Sequence, residues 1–116
     1  FAYLSQGDWG KFEEILIENM QMAKRILGIW RRRYLKMIHS GMLPLFREYG
    51  DITLKGYFST IGVLGLPEAA MNFTGEIDGW INGTDAVKQK LIDVEKKMVS
   101  TIRRITEEWE KEDGVQ

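Results

Sequence analysis

Residues whose types could hold a ligand cluster in one short segment, 57–73, which reads YFSTIGVLGLPEAAMNF. Its composition predicts a strand and glycine turn at about 57–65, followed by a short helix at about 67–74. A strand that breaks on glycines and enters a helix is where α/β enzymes often hold substrates, because free N–H groups cluster there. Five residues of this segment are therefore candidate substrate-binding residues: Ser59, Thr60, Gly62, Gly65 and Glu68.

The same segment also has a purely structural interpretation. A strand packed in a barrel carries glycines wherever a helix and a strand approach closely. Glu68 weakens the hypothesis of a phosphate site, because its carboxylate already supplies negative charge at the start of the short helix. The hydroxyl groups of Ser59 and Thr60 nevertheless suit a ribose or a phosphate. On the residues alone, both interpretations stay open.

The chain offers few other groups for catalysis. Its 116 residues contain no cysteine and a single histidine, His39. The lack of cysteine excludes a disulfide framework, a cysteine zinc site, an iron–sulfur cluster and thiol chemistry within this chain. A metal site at His39 would need carboxylates, and none are grouped at suitable spacing. We therefore predict no catalytic residue and no metal ligand here, and place His39 at a helix C-terminus, where a cation is favourable.

A basic run, Arg31-Arg32-Arg33, is the other feature that invites a functional interpretation, since nucleic acids and nucleotides attract cations. Consecutive helical residues point about 100° apart, so the run does not form one tight patch. A solvated face, or ion pairs with missing segments of a longer polypeptide, is the favoured interpretation. The net charge of −1 likewise gives no overall attraction to nucleic acid or to an anionic membrane.

Two long amphipathic helices must position these residues. The first is predicted at about 8–40 with Asp8 as its N-cap, and the second at about 84–112 with Thr84 as its cap. Apolar residues spaced alternately by three and four form one stripe on each helix, and the two stripes suit antiparallel pairing. Additional apolar residues widen the first stripe, which predicts partners on more than one side: Ile15, Met22, Ile26 and Ile29.

The remaining elements are short. Pro44 opens a helix that extends to Tyr49, residues 1–4 resemble the end of a strand, and 76–83 form a loop. The predicted fold is mainly α: two long antiparallel helices with short helices and one or two short strands. A single strand needs neighbours for its backbone groups, so it either pairs with another copy or belongs, as we expect, to a fragment of a longer polypeptide. The sequence contains no membrane span and no secretory signal.

The segment 58–69, F-S-T-I-G-x-x-G-x-x-E-A, resembles the corresponding segment of the class III, oxygen-sensitive ribonucleoside-triphosphate reductases. The likeness covers nearly the whole chain. The opening Ala2-Tyr3-Leu4-Ser5 with Gly7-Asp8, the long helix, the turn at Gly41–Pro44 and the closing helix follow in family order. Pro67 departs from the family pattern, in which asparagine is expected, and removes a possible side-chain contact.

This resemblance implies that residues 1–116 are one fragment of a larger catalytic domain, a ten-stranded α/β barrel. The complete enzymes of this family reduce ribonucleoside triphosphates to deoxyribonucleotides for DNA replication. In such enzymes a glycyl radical is passed to a cysteine, which abstracts hydrogen from the ribose. Formate commonly supplies electrons, a four-cysteine site binds zinc, and ATP or dATP regulates activity. The chain carries none of those motifs. The resemblance thus implies an inactive fragment that supplies wall helices and one substrate-side strand, with missing barrel segments and a ribonucleoside triphosphate as partners.

Two alternatives remain. The chain could be a remnant that serves as a non-catalytic helical oligomerisation or assembly module, or an α-helical dimerisation domain whose strands pair between copies. In each case exposed apolar stripes predict a homo-oligomer, most simply a two-fold dimer. We expect a cytoplasmic protein without membrane or nucleic-acid partners.

Overall fold

The computed structural model describes residues 1–50 and 52–113, and it is an elongated assembly of helices that measures 58 × 26 × 21 Å. The predicted mainly helical architecture is confirmed. Short turns and one extended segment join the helices. The described residues form six helices: α1 (Ala2–Ser5), α2 (Trp9–His39), α3 (Pro44–Tyr49), α4 (Leu66–Thr74), α5 (Gly79–Asn82) and α6 (Asp85–Asp113).

Local sequence signals account for both long helices. At the start of α2 the Asp8 carboxylate accepts a hydrogen bond from the Lys11 N–H at 3.2 Å, so the expected N-cap is formed. At the start of α6 the Thr84 hydroxyl accepts from the Val87 N–H at 3.4 Å. α2 has 31 residues and α6 has 29, and both lie within a residue of the ranges that the periodicity indicates.

The two long helices run parallel, so the predicted antiparallel pairing is wrong. The Lys97 ammonium lies 4.1 Å from the Trp9 ring centroid, and Arg104 pairs with Glu13 at 2.6 Å. Further along, Glu112 pairs with Lys24 at 3.3 Å. Residue numbers rise together along both helices, which only a parallel arrangement allows. The stripes could not reveal this, because direction depends on the path of the connecting residues.

The connection between α2 and α6 brings the chain back to the end of the molecule where α2 begins. After α3, residues 54–57 lie beside Arg31 near the end of α2, and Ile61 packs on the core. α4 then packs against α1 and α6, with the Phe73 ring 5.7 Å from that of Trp9. Because this segment runs back along α2, α6 starts at the same end of the molecule as α2.

The long helices are also staggered. Lys97 meets Trp9 near the start of α2, so residues 85–96 of α6 lie beyond that start, where α5 packs on them. Twelve helical residues correspond to about 18 Å. At the other end Lys24 already meets Glu112, so residues 25–39 of α2 extend past α6. The stagger explains the length of the molecule and leaves the second half of α2 thinly covered.

Among the described residues there is no strand, and the strand predicted at about 57–65 is not formed. A strand requires a neighbour to satisfy its backbone N–H and C=O groups. No other described segment supplies one, and the Tyr57 carbonyl accepts a hydrogen bond from the Arg31 side chain instead. Residues 57–65 are therefore an extended segment without a ladder. The barrel itself stays a prediction.

Two further expectations for short elements are wrong. Residues 2–5 form α1 rather than the end of a strand, because the Ser5 hydroxyl and N–H donate to the carbonyls of Ala2 and Phe1 at 2.7 and 3.1 Å. The predicted loop at 76–83 contains α5, a single turn from Gly79 to Asn82. Both are one-turn helices, which apolar periodicity does not reveal.

The core lies between the first half of α2 and the middle of α6. Trp9, Phe12 and Phe73 form a triangle of rings with centroids 5.2 to 5.8 Å apart, partly edge-to-face. Such pairs stabilise a fold beyond simple burial. Six buried residues form the main cluster: Ala2, Phe12, Leu16, Met20, Met98 and Ile105.

A second apolar stripe on α2 is left open. Four of its large side chains are about half exposed, and Tyr34 beside them is 42% exposed. This stripe includes three of the four residues that predict additional partners. None of the helices within the described residues is long and apolar enough to cross a membrane. The four half-exposed residues, called the open stripe below, are Met22, Ile26, Ile29 and Trp30.

Candidate functional site

The extended segment begins at a turn that a single arginine fixes to α2. Arg31 Nη1 donates to the Tyr57 carbonyl at 2.9 Å, and Nη2 donates to the Leu54 carbonyl. The Leu54 carbonyl also accepts the Tyr57 N–H at 3.3 Å, which closes the turn. A carbonyl has two lone pairs, so both bonds are compatible. These contacts of Arg31 are called the Arg31 clasp below.

The turn is held by packing as well. Leu54 has a left-handed backbone with φ of 55°, which is unusual for a residue with a side chain, yet only 6% of it is exposed. The Tyr57 ring lies 5.6 Å from that of Phe46 on α3. Burial of Leu54, the ring contact and the Arg31 clasp together hold the turn in this conformation.

Ser59 and Thr60 lie beyond this turn at the edge of a cleft of about 530 Å³ between α2 and α6. Both residues are exposed. The opposite walls carry Arg31 and Trp109, so hydroxyl groups, a cation and an aromatic ring line one space. The cleft, called the hydroxyl cleft below, also includes Lys24, Thr106 and Glu110 in its lining.

Lys24 belongs to this cleft but is engaged by α6. Its ammonium lies 5.1 Å from the Trp109 ring centroid and 3.3 Å from the Glu112 carboxylate. The side chain therefore ties the two helices together beside the cleft. Its charge is shared with Glu112 and the Trp109 ring rather than directed at open space.

Gly62 and Gly65 lie on a different cleft of about 480 Å³, called the glycine cleft below. Its lining is mostly apolar and includes Phe12 and Met20 from α2 and Met98 from α6. No side chain lies near the position that a Cβ of Gly62 would take, so the backbone there is open to approach. The chemistry of this cleft suits an apolar group better than a phosphate.

Glu68 lines neither of these clefts. It lies in the first turn of α4, is exposed, and follows Gly65, whose φ of 73° makes it the left-handed N-cap of that helix. Of the five sequence-predicted residues, the structure thus brings Ser59 and Thr60 to one cleft and Gly62 and Gly65 to another. Ile61, which lines both clefts, separates the two pairs.

Sequence reasoning missed Arg31. The basic run was interpreted as a solvated face, which fits the exposed Arg32 and Arg33 but not Arg31, whose guanidinium binds two carbonyls. A signal was present. Arg31 falls four residues after Leu27 and four before Leu35, so it lies on the same face of α2 as two partly buried leucines. A cation at such a position needs an acceptor.

Neither His39 nor any cluster of acidic residues forms a metal centre in the part of the chain that the structure describes. His39 is the last residue of α2, so its predicted place at a helix C-terminus is confirmed. Its side chain is exposed.

Comparison with protein families decides the affiliation of the chain. The model of the family described as anaerobic ribonucleoside-triphosphate reductase matches residues 1–116, the whole chain. The chain belongs to this family. No curated protein matches the chain significantly, and no solved structure does. In this reductase segment the FSTIG residues thus form the extended stretch between the Arg31 clasp and α4.

Proposed function

We propose that this chain is part of the catalytic domain of an anaerobic ribonucleoside-triphosphate reductase and forms one wall of its nucleotide site. The family match over the whole chain carries the proposal. Reduction of a ribonucleotide to a deoxyribonucleotide replaces the ribose 2′-hydroxyl by hydrogen. A wall of the site must therefore offer hydrogen-bonding groups to a sugar, which are available at Ser59 and Thr60.

The proposed role of the extended segment is to bind substrate. The Ser59 and Thr60 hydroxyls can each donate and accept a hydrogen bond, so they suit ribose hydroxyls or phosphate oxygens. Gly62 and Gly65 let a ligand approach the backbone closely. Glu68 disfavours a phosphate at the start of α4. We therefore propose that the sugar contacts Ser59 and Thr60 and that the triphosphate lies away from Glu68.

The radical chemistry must come from other parts of the polypeptide. This chain has no cysteine, so it carries neither a thiyl radical nor a four-cysteine zinc site. Its described residues do not include a group of three or more acidic or histidine side chains that could hold a metal ion. We propose that the segment by itself is inactive, that missing barrel segments pair with residues 57–65, and that the enzyme works in the cytoplasm.

The experiment that tests this function uses the complete reductase polypeptide. Ser59→Ala with Thr60→Val removes both hydroxyls at nearly constant shape. We expect the KM for a ribonucleoside triphosphate to rise about tenfold or more, since each lost hydrogen bond weakens binding by roughly 0.5–1.5 kcal/mol. Ser100→Ala, at an exposed residue on α6, is the control. An unchanged KM in the double variant would contradict the substrate-side role of the segment.

The open stripe on α2 favours the second candidate, a helical assembly module. A row of half-exposed apolar side chains is a surface that association covers. We propose either a second copy or the missing barrel segments as its partner. Sedimentation over a wide concentration range tests the homo-oligomer: dimers that dissociate on Ile26→Glu substitution support it, and a monomer at every concentration contradicts it.

A further inference from the structure

Arg31 lies on a helix, outside the sequence motif, yet it holds the start of that motif. We infer that Arg31 is a positioning residue that sets the place of the Ser59 and Thr60 hydroxyls for the bound nucleotide. The inference rests on the proposed function for the identity of the ligand. The Arg31 clasp itself is visible without it.

The Arg31 clasp has a geometry that holds the turn at two points. A guanidinium presents its N–H donors in a rigid fork, and here two donors of one fork meet two carbonyls three residues apart, at Leu54 and Tyr57. Such a contact fixes both the position and the orientation of the turn. Hydrogen bonds from a charged donor are also stronger than those between neutral groups. Arg31 therefore determines where the extended segment starts.

The extended segment is held again at Ile61, only four residues after Tyr57. Ile61 packs on the core, and only Phe58, Ser59 and Thr60 lie between it and the clasped Tyr57. Four extended residue steps span at most about 14 Å, so a segment fixed at both ends has little freedom. These three residues are exposed. Their position thus depends on the two anchors.

The charged guanidinium of Arg31 is already engaged by the turn. Arg31 lines the hydroxyl cleft, but its Nη1 and Nη2 each already donate to a backbone carbonyl. A phosphate could compete for them only by releasing the turn. The role inferred for Arg31 is therefore to hold the segment, and it acts on the ligand through Ser59 and Thr60.

Chymotryptic digestion of the 116-residue chain tests the clasp independently of any function. The protease cleaves after aromatic residues, and Phe58 is 72% exposed within the segment. In Arg31→Met we expect cleavage at residues 57 and 58 to accelerate about tenfold or more, because local opening governs cleavage. Cleavage after Tyr3, which is 78% exposed on α1, serves as the internal reference and should not change.

Two variants separate the fork from the charge. Arg33→Met removes an exposed cation two residues away and should digest like the wild type. Arg31→Lys keeps the charge without the fork, so we expect it to digest nearly as fast as Arg31→Met. Wild-type resistance in Arg31→Met, or equal acceleration in Arg33→Met, would overturn the clasp. Full resistance in Arg31→Lys would overturn the fork as its basis.

The complete reductase tests the link to the nucleotide. We expect Arg31→Met to raise the KM for a ribonucleoside triphosphate severalfold with kcat nearly unchanged, and to add nothing when Ser59→Ala and Thr60→Val are already present. An unchanged KM, or the same increase in both backgrounds, would overturn the positioning role. If the hydroxyl variant alone leaves KM unchanged, the proposed substrate site fails, while the digestion result still decides the clasp.

Discussion

Glu13 and Arg104 form an ion pair of 2.6 Å between α2 and α6, and Arg104 also contacts Glu108 within its own helix at 3.3 Å. Glu13 is near the start of α2, whereas Arg104 lies in the second half of α6. The pair therefore marks the stagger of two parallel helices. It joins elements that are 91 residues apart in sequence, so it reports directly on the tertiary arrangement.

Substitution of this pair tests the parallel arrangement in solution. Both side chains are partly exposed, so we expect a coupling energy of about 0.2–1 kcal/mol from a double-mutant cycle of Glu13→Gln and Arg104→Gln. Urea unfolding measures it. The combination of Glu13→Gln with Arg103→Gln is the control, because Arg103 pairs with Glu107 inside α6. Equal coupling in both cycles would contradict the contact between the helices.

Phe12 should contribute far more to stability than any ion pair. It is 4% exposed and packs against the rings of Trp9 and Phe73. We expect Phe12→Ala to lower the free energy of unfolding by about 3–5 kcal/mol, since it removes apolar burial and leaves a cavity. Phe58→Ala removes the same side chain where it is 72% exposed, and should change stability by less than about 0.5 kcal/mol. Urea denaturation compares the two; similar losses would place the core elsewhere.

What could be predicted from the sequence here is local. Asp8 and Thr84 are caps that act within three residues, and the apolar stripes mark both long helices. The direction of α6 relative to α2 is not local, because it depends on the whole connecting segment. The strand at about 57–65 was expected from residue types alone, yet β propensity describes a residue that already has a paired neighbour.

The candidate site likewise has features that are local in sequence and features that depend on distant residues. Ser59 and Thr60 could be proposed from residue type, since their hydroxyl groups suit a ribose or a phosphate wherever the chain places them. The separation of these two residues from Gly62 and Gly65 could not be predicted. It depends on Ile61, which packs against core side chains that are distant in sequence. Arg31 was missed for a related reason: its acceptors are backbone carbonyls, which have no residue type.

The junction between α5 and α6 depends on the absence of a side chain at Gly83. A Cβ there would lie against the Gly79 carbonyl oxygen, well inside van der Waals contact, and 2.9 Å from a Val87 methyl group. The backbone of Gly83 has φ of −72°, so conformation alone would permit alanine. We therefore expect Gly83→Ala to destabilise the fold by about 1–3 kcal/mol through overpacking.

Thermal unfolding followed by circular dichroism measures this effect. Gly10→Ala is a suitable control, because a Cβ at Gly10 would meet only the Asp8 carboxylate, at an ordinary 3.4 Å. That position lies in α2, where alanine has the higher helix propensity. We expect Gly10→Ala to preserve or slightly raise the melting temperature. A fall as large as that in Gly83→Ala would show that the crowding at Gly83 is not the cause.

Gly62 and Gly65 differ in a way that separates binding from stability. Gly65 has φ of 73°, so Gly65→Ala strains the backbone and should cost about 1 kcal/mol of stability. Gly62 has no such conformation and nothing within 4 Å of its Cβ position, so Gly62→Ala should leave stability within about 0.5 kcal/mol.

If Gly62 serves close approach of a ligand, its alanine variant should nevertheless impair the enzyme. We expect the complete reductase with Gly62→Ala to fold normally but to show a KM for the ribonucleoside triphosphate about tenfold higher, because a methyl group would occupy space that the ligand needs. Gly10→Ala adds the same methyl group outside both clefts and is the control. Normal kinetics with Gly62→Ala would show that the glycine cleft stays empty during catalysis, and the substrate would then contact Ser59 and Thr60 from the hydroxyl cleft alone.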